Sequence, residues 1–152
     1  MKRFTPRAFL PSALLLCAPA LSAAECLPRI EQGWVRPPPV AMPMMAGFMR
    51  IENPCDAPIA IVAASSPSFA EVSIHETREV DGVNRMREVE RLDIAPGKSI
   101  ELAPGGLHLM LYRPQAALAE GQRVPVVLTL ADGRSIGADL QVRPPSRPAP
   151  AR

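Results

Sequence analysis

Two short segments of this 152-residue chain each carry one histidine and one methionine, and the chain has no other histidine. His75 and Met86 flank Asp81-Gly82, while His108 and Met110 lie two apart in Leu107-His108-Leu109-Met110-Leu111-Tyr112. In the second segment the alternation is that of a strand. The leucines line one face, and His108, Met110 and Tyr112 line the other. Side chains two apart on a strand start ~7 Å from each other, at ~3.3 Å per residue, so two flexible ones can converge on a single ion. Asp-Gly favours a two-residue hairpin turn. With that turn Val80 pairs with Val83, Thr77 with Met86 and His75 with Glu88. His75 and Met86 are then diagonal neighbours on one face, ~7–8 Å apart and within reach of long side chains. A longer turn would break this parity.

A set of two imidazoles and two thioethers has a distinct preference. Thioether sulfur is soft and neutral, which favours Cu(I) over Mg²⁺ or Ca²⁺. Zinc favours thiolate, imidazole or carboxylate. Thioethers need no deprotonation and form no disulfides, although oxidation to the sulfoxide would weaken them. The bland alternative stands beside this one. A histidine on a strand face is ordinarily a solvated polar residue, and a methionine beside leucines is ordinarily core filler. Glu76 and Glu88 would flank such a site, or simply be solvated strand charges.

The elements that must position these residues are short strands. Candidates run over 33–36, 46–52, 59–64, 71–77, 83–90, 99–102, 107–112, 124–130 and 135–142. Turn residues separate them, at Asn53-Pro54, Asp81-Gly82, Pro104-Gly105-Gly106 and Asp132-Gly133 among others. This pattern predicts an all-β sandwich or barrel. Val72, Ile74 and the three leucines of 107–111 are the expected core, with Trp34 as an aromatic anchor. Met42, Met44 and Met45 cluster in a proline-bounded loop, either as packing or as auxiliary ligands near the metal.

The N-terminus reads as an export signal. Lys2, Arg3 and Arg7 precede an apolar run from Ala8 to Ala18, and small residues follow at Ser22-Ala23-Ala24, which places cleavage near Ala24. That run is too short to span a bilayer, which takes ~20 residues. A lipoprotein signal through Cys17 is disfavoured by the bulk of Leu16. Loss of residues 1–24 takes three of the 17 cations and leaves 14 against 15 acids, a net charge of about −1 with histidine neutral. No basic patch argues for nucleic acid. The expected domains are a signal peptide at 1–24, one β-sandwich at 25–142, and a proline-rich disordered tail at 143–152. Cys26 and Cys55 remain as an even pair in an exported protein, which predicts a disulfide.

The spacing of His75, Met86, His108 and Met110, with ten, twenty-one and one residues between them, resembles the signature of the PCu(A)C family of periplasmic copper(I) chaperones. The flanks are similar too: Gly33-Trp34-Val35-Arg36, Ala46-Gly47-Phe48-Met49, Ile74-His75-Glu76-Thr77, Arg85-Met86-Arg87, and Pro104-Gly105-Gly106-Leu107-His108. The likeness covers roughly Ile30 to Val142. It implies a cupredoxin-like Greek-key β-sandwich and one exposed Cu(I) site formed by those four residues. It further implies delivery of copper to the CuA site of cytochrome c oxidase subunit II, alongside Sco-type proteins. Some relatives bind Cu(II) through a His- and Met-rich extension, and residues 143–152 contain neither.

Other readings compete with this one. A blue-copper carrier needs a Cys thiolate with two His, and both mature cysteines are assigned to a disulfide. A non-metal β-sandwich interaction module would fail to bind Cu(I). Copper scavenging or tolerance would use the same site without delivery. No Ser/Cys–His nucleophile–base motif points to an enzyme. A monomer is expected.

Overall fold

Alternation of apolar and polar residues, broken by glycine and proline, dictates strands joined by tight turns. The computed structural model describes residues 26–39 and 42–144. There the chain forms ten strands: β1 (Arg29–Arg36), β2 (Met44–Glu52), β3 (Ile59–Ser65), β4 (Phe69–Val80), β5 (Val83–Glu88), β6 (Leu92–Ile94), β7 (Ser99–Leu102), β8 (Leu107–Pro114), β9 (Arg123–Leu130) and β10 (Ser135–Val142). The expected signal peptide at 1–24, and residues 145–152 of the expected tail at 143–152, lie outside the described residues. Among the described residues no helix is long and apolar enough to cross a membrane.

The hydrogen-bonded order is β5-β4-β8-β2-β1-β10-β9-β3-β6, and β7 pairs with β2 off this path. Two antiparallel halves are joined by one parallel pair, β1 with β10, through Trp34↔Gln141 and Val35↔Val142. The path folds over one core. Leu109, Leu111 and Ile74 from one half pack in the same cluster as Val126, Leu128, Leu130 and Ile61 from the other. Ile74 and the leucines at 109 and 111 are therefore core, as the alternation requires.

Three expectations are corrected. β6 lies within a stretch read as connection, since three residues carry too little alternation to stand out. Trp34 is not a core anchor. A register shift between Glu31 and Trp34 adds one residue to β1, with Gln32 at φ 53°. The bulge reverses parity, so Ile30 before it and Val35 after it both face the core. Trp34 is left on the outer face, 4.4 Å from the Phe48 ring and beneath the guanidinium groups of Arg36 and Arg143. The methionine cluster is not a loop: Met44 and Met45 lie within β2, Met45 is core, and only Met42 is an exposed connection residue.

Cys26 and Cys55 form a disulfide with Cα atoms 5.8 Å apart. It ties the start of β1 to the β2–β3 connection. Beside it, buried Asn53 organises that connection. Its amide donates to the carbonyls of Ala57 at 2.9 Å and Ile94 at 3.0 Å, and its Oδ1 accepts from the Cys55 N–H at 3.1 Å.

Candidate metal site

The turn after β4 is the two-residue form. Asp81 and Gly82 have φ of 55° and 73°, the left-handed pair of a type I′ hairpin. The register follows: Val80↔Val83, Thr77↔Met86 and His75↔Glu88. On its other side β4 pairs with β8, where His75 stands opposite His108 and Ser73 opposite Met110. Three neighbouring strands thus bring His75, Met86, His108 and Met110 to one sheet face. This face is opposite to Leu107, Leu109 and Leu111. The sequence supplies each pair but not the β4–β8 register that joins them.

The His75 and His108 rings have centroids 6.1 Å apart. His108 donates its Nδ1–H to the carbonyl of Gly106 at 2.9 Å. In the neutral ring this leaves the lone pair on Nε2. That nitrogen lies 3.3 Å from Met86 Sδ, which reaches over β4 from β5. Gly106 is available to accept because Pro104-Gly105-Gly106 turns tightly into β8, with Gly105 at φ 84°. A second carbonyl bond, from the Thr77 N–H to Gly106 at 3.0 Å, fixes the same turn against β4.

Accessibility is uneven. His108 and Met110 are 7% and 8% exposed, whereas Met86 is 53% exposed. The expectation of an exposed site thus fits Met86 and does not fit His108 and Met110. The two side chains are buried, beside a cavity of about 160 Å³ lined by Arg36, Phe48, Thr77, Pro104, His108 and Met110 among others. Burial is the main influence on His75 and lowers its pKa from the usual histidine value. Glu88 opposes this, and the nearby His108 adds to the lowering. Glu76 is on the opposite face, bound to Arg78 at 2.8 Å and Arg87 at 2.7 Å. Only Glu88 of the two candidate acids stands beside the site. Tyr112 pairs with Met44 and Glu71, one step beyond Met110.

Among the described residues no three His, Cys, Asp or Glu side chains gather to hold a metal. The donors that do gather are imidazole and thioether, a set suited to soft, low-charge ions. Sequence reasoning missed Ser73, whose Oγ lies 2.9 Å from His75 Nε2. The available clue was its place two residues before His75, on the same strand face.

Residues 29–142 match the family model described as LpqE-like. The protein Lxx21020 of Leifsonia xyli subsp. xyli, named as a lipoprotein, is 31% identical over 149 residues, covering 90% of this chain and 89% of its own length. Among solved structures, the Cu(I) form of DR1885 from Deinococcus radiodurans is similar at a TM-score of 0.60 and 26% identity, covering 82% of this chain and 81% of that one. The copper-bound PCuAC domain of PmoF2 is similar in fold at a TM-score of 0.63 and 20% identity, covering 78% of this chain and 93% of that domain. The likeness bears out the cupredoxin-like sandwich.

Proposed function

The chain belongs to the LpqE-like family, of PCuAC type, and from that premise we propose that it is an exported copper(I) chaperone. It holds one Cu(I) through His75, Met86, His108 and Met110. One observation carries the reading. His108 Nε2 and Met86 Sδ are lone-pair donors 3.3 Å apart, with His108 Nδ1 already engaged by Gly106. Two such donors gain little from each other, and both gain from a shared cation. Neutral soft ligands match Cu(I), and a Cu(I) form of the similar DR1885 has been solved.

The uneven burial suits a carrier. His108 and Met110 form the inner, fixed side of the site, and exposed Met86 is the arm that a partner's ligand can displace. A thioether site lacks the charge attraction of a thiolate site, so transfer to a reduced dithiol runs downhill. The recipients that fit are the CuA site of cytochrome c oxidase subunit II and a Sco-type protein. The compartment is the periplasm, with the leader removed near Ala24.

The test is an anaerobic Cu(I) competition titration of the mature protein, with each ligand replaced in turn, followed by X-ray absorption. One equivalent and a mixed nitrogen–sulfur shell are expected. A shell of oxygen and nitrogen alone sinks the ligand set. Delivery is tested by mixing the Cu(I)-loaded protein with excess reduced acceptor and following copper by gel filtration. Copper that stays put rejects delivery and leaves scavenging or tolerance as the function.

A further inference from the structure

A neutral imidazole has one N–H and one lone pair, and the bond made at one nitrogen decides which is left at the other. For His108 a carbonyl settles the matter, because a carbonyl only accepts. For His75 the partner is a hydroxyl, which both donates and accepts. Ser73 Oγ lies 2.9 Å from His75 Nε2, while His75 Nδ1 is buried with no hydrogen-bond partner among the described residues.

Two arrangements satisfy the Ser73 contact. If the hydroxyl donates to Nε2, the ring proton sits on Nδ1 as a buried N–H with no acceptor. If Nε2–H donates to the hydroxyl, Nδ1 keeps a bare lone pair. A buried orphan N–H is the rarer and costlier defect, and an unfilled acceptor is better tolerated. A bare lone pair beside a second imidazole is also what an incoming cation would use.

We propose that Ser73 is a positioning residue: it holds His75 as the Nε2–H tautomer and makes Nδ1 the nitrogen offered to the ion. His108 offers Nε2 instead, so the two histidines bind through different ring atoms. The copper half of this inference rests on the proposed function, whereas the tautomer is a property of the apo protein. The short Ser73 side chain stands opposite Met110 on β8. There it orients the ring without offering a soft donor of its own.

Long-range ¹⁵N–¹H correlation spectra would be recorded on wild type, Ser73→Ala and Ser73→Thr, both apo and loaded anaerobically with Cu(I), at a pH where the rings are neutral. Apo wild type should carry the His75 proton on Nε2. Cu(I) should shift Nδ1 of His75 and Nε2 of His108. Ser73→Ala should show mixed His75 tautomers and bind Cu(I) about 10-fold more weakly, the usual scale for losing a residue that orients a ligand. Ser73→Thr, which keeps the hydroxyl, should restore both. Protonation of apo His75 at Nδ1, or an unchanged tautomer in Ser73→Ala, overturns the assignment, and the apo wild-type spectrum decides even if the alanine variant fails to fold. A Cu(I) shift on His75 Nε2 overturns the copper half. Wild type with the expected tautomer but no Cu(I) binding overturns the proposed function and leaves the hold of Ser73 intact.

Discussion

Met86 and Met110 are proposed to do the same chemistry from opposite surroundings, so truncating each should separate ligation from folding. Met110 is 8% exposed and central on its strand. Cutting a buried methionine to alanine costs roughly 2–5 kcal/mol. In a domain of this size that lowers the melting temperature by roughly 10–20 °C. Met86 is 53% exposed, and all six residues of β5 are exposed. Met86→Ala should therefore stay within about 0.5 kcal/mol of wild type, or about 2 °C. Both variants remove a proposed ligand, so both should lose at least about 10-fold in Cu(I) affinity, the lower end of what losing even a ligand's supporting residue costs. Apo melting curves by circular dichroism give the first quantity, and anaerobic competition with a chromogenic Cu(I) chelator gives the second. A Met86→Ala variant with wild-type Cu(I) affinity would refute its role as a ligand. A Met86→Ala variant destabilised as much as Met110→Ala would refute the reading of β5 as an exposed arm.

Three further outcomes are expected. Changing Cys26 and Cys55 to Ser reopens a loop of sequence separation 29, worth roughly 3–4 kcal/mol on the chain-entropy model; melting by calorimetry should fall while Cu(I) stoichiometry stays at one, and loss of copper with the fold intact would contradict the purely structural role. Cu(I) affinity should be level from pH 8 to 7 and fall below about pH 6, because protons compete for imidazole but not for thioether. The lowered pKa of His75, due first to burial, keeps that ring neutral to lower pH than an exposed histidine, so its share of the loss comes late; affinity constant from pH 7 to 5 would exclude both histidines as ligands. Asn53→Ala removes two amide donors and an acceptor from a fully buried position, and urea unfolding should show a loss of about 2–4 kcal/mol with copper binding retained.

The local geometry of the site was legible where one turn fixed it. Asp81-Gly82 dictated a two-residue hairpin, and from it came the pairing of His75 with Glu88 and of Thr77 with Met86. The alternation of 107–112 likewise told which side chains face the core. What could not be read was long-range. No local pattern states that β4 lies beside β8, so the opposition of His75 and His108 was hidden, as was the burial of His108 and Met110. Trp34 was misplaced because it was read from its type, as an aromatic anchor, and not from its face. Its face is set by the bulge at Gln32, which turns Val35 inward and leaves Trp34 outward, and no residue type announces that bulge.

The one parallel pairing, β1 with β10, bears on the order of events during biogenesis. All four proposed ligands are synthesised before β10, yet among the described residues the two halves of the sandwich pair strand to strand only through β1 and β10. The Val142 carbonyl and N–H are tied to Gly121 and Gln122, and the Arg143 N–H to the Val35 carbonyl. Leu140 and Val142 of β10 are buried in the same cluster as Leu109 and Leu111, so that core is incomplete until β10 arrives. The proposed copper site is therefore backed by a complete core only once β10 is in place. On the proposed function, a chain exported in unfolded form would complete that site only after its passage.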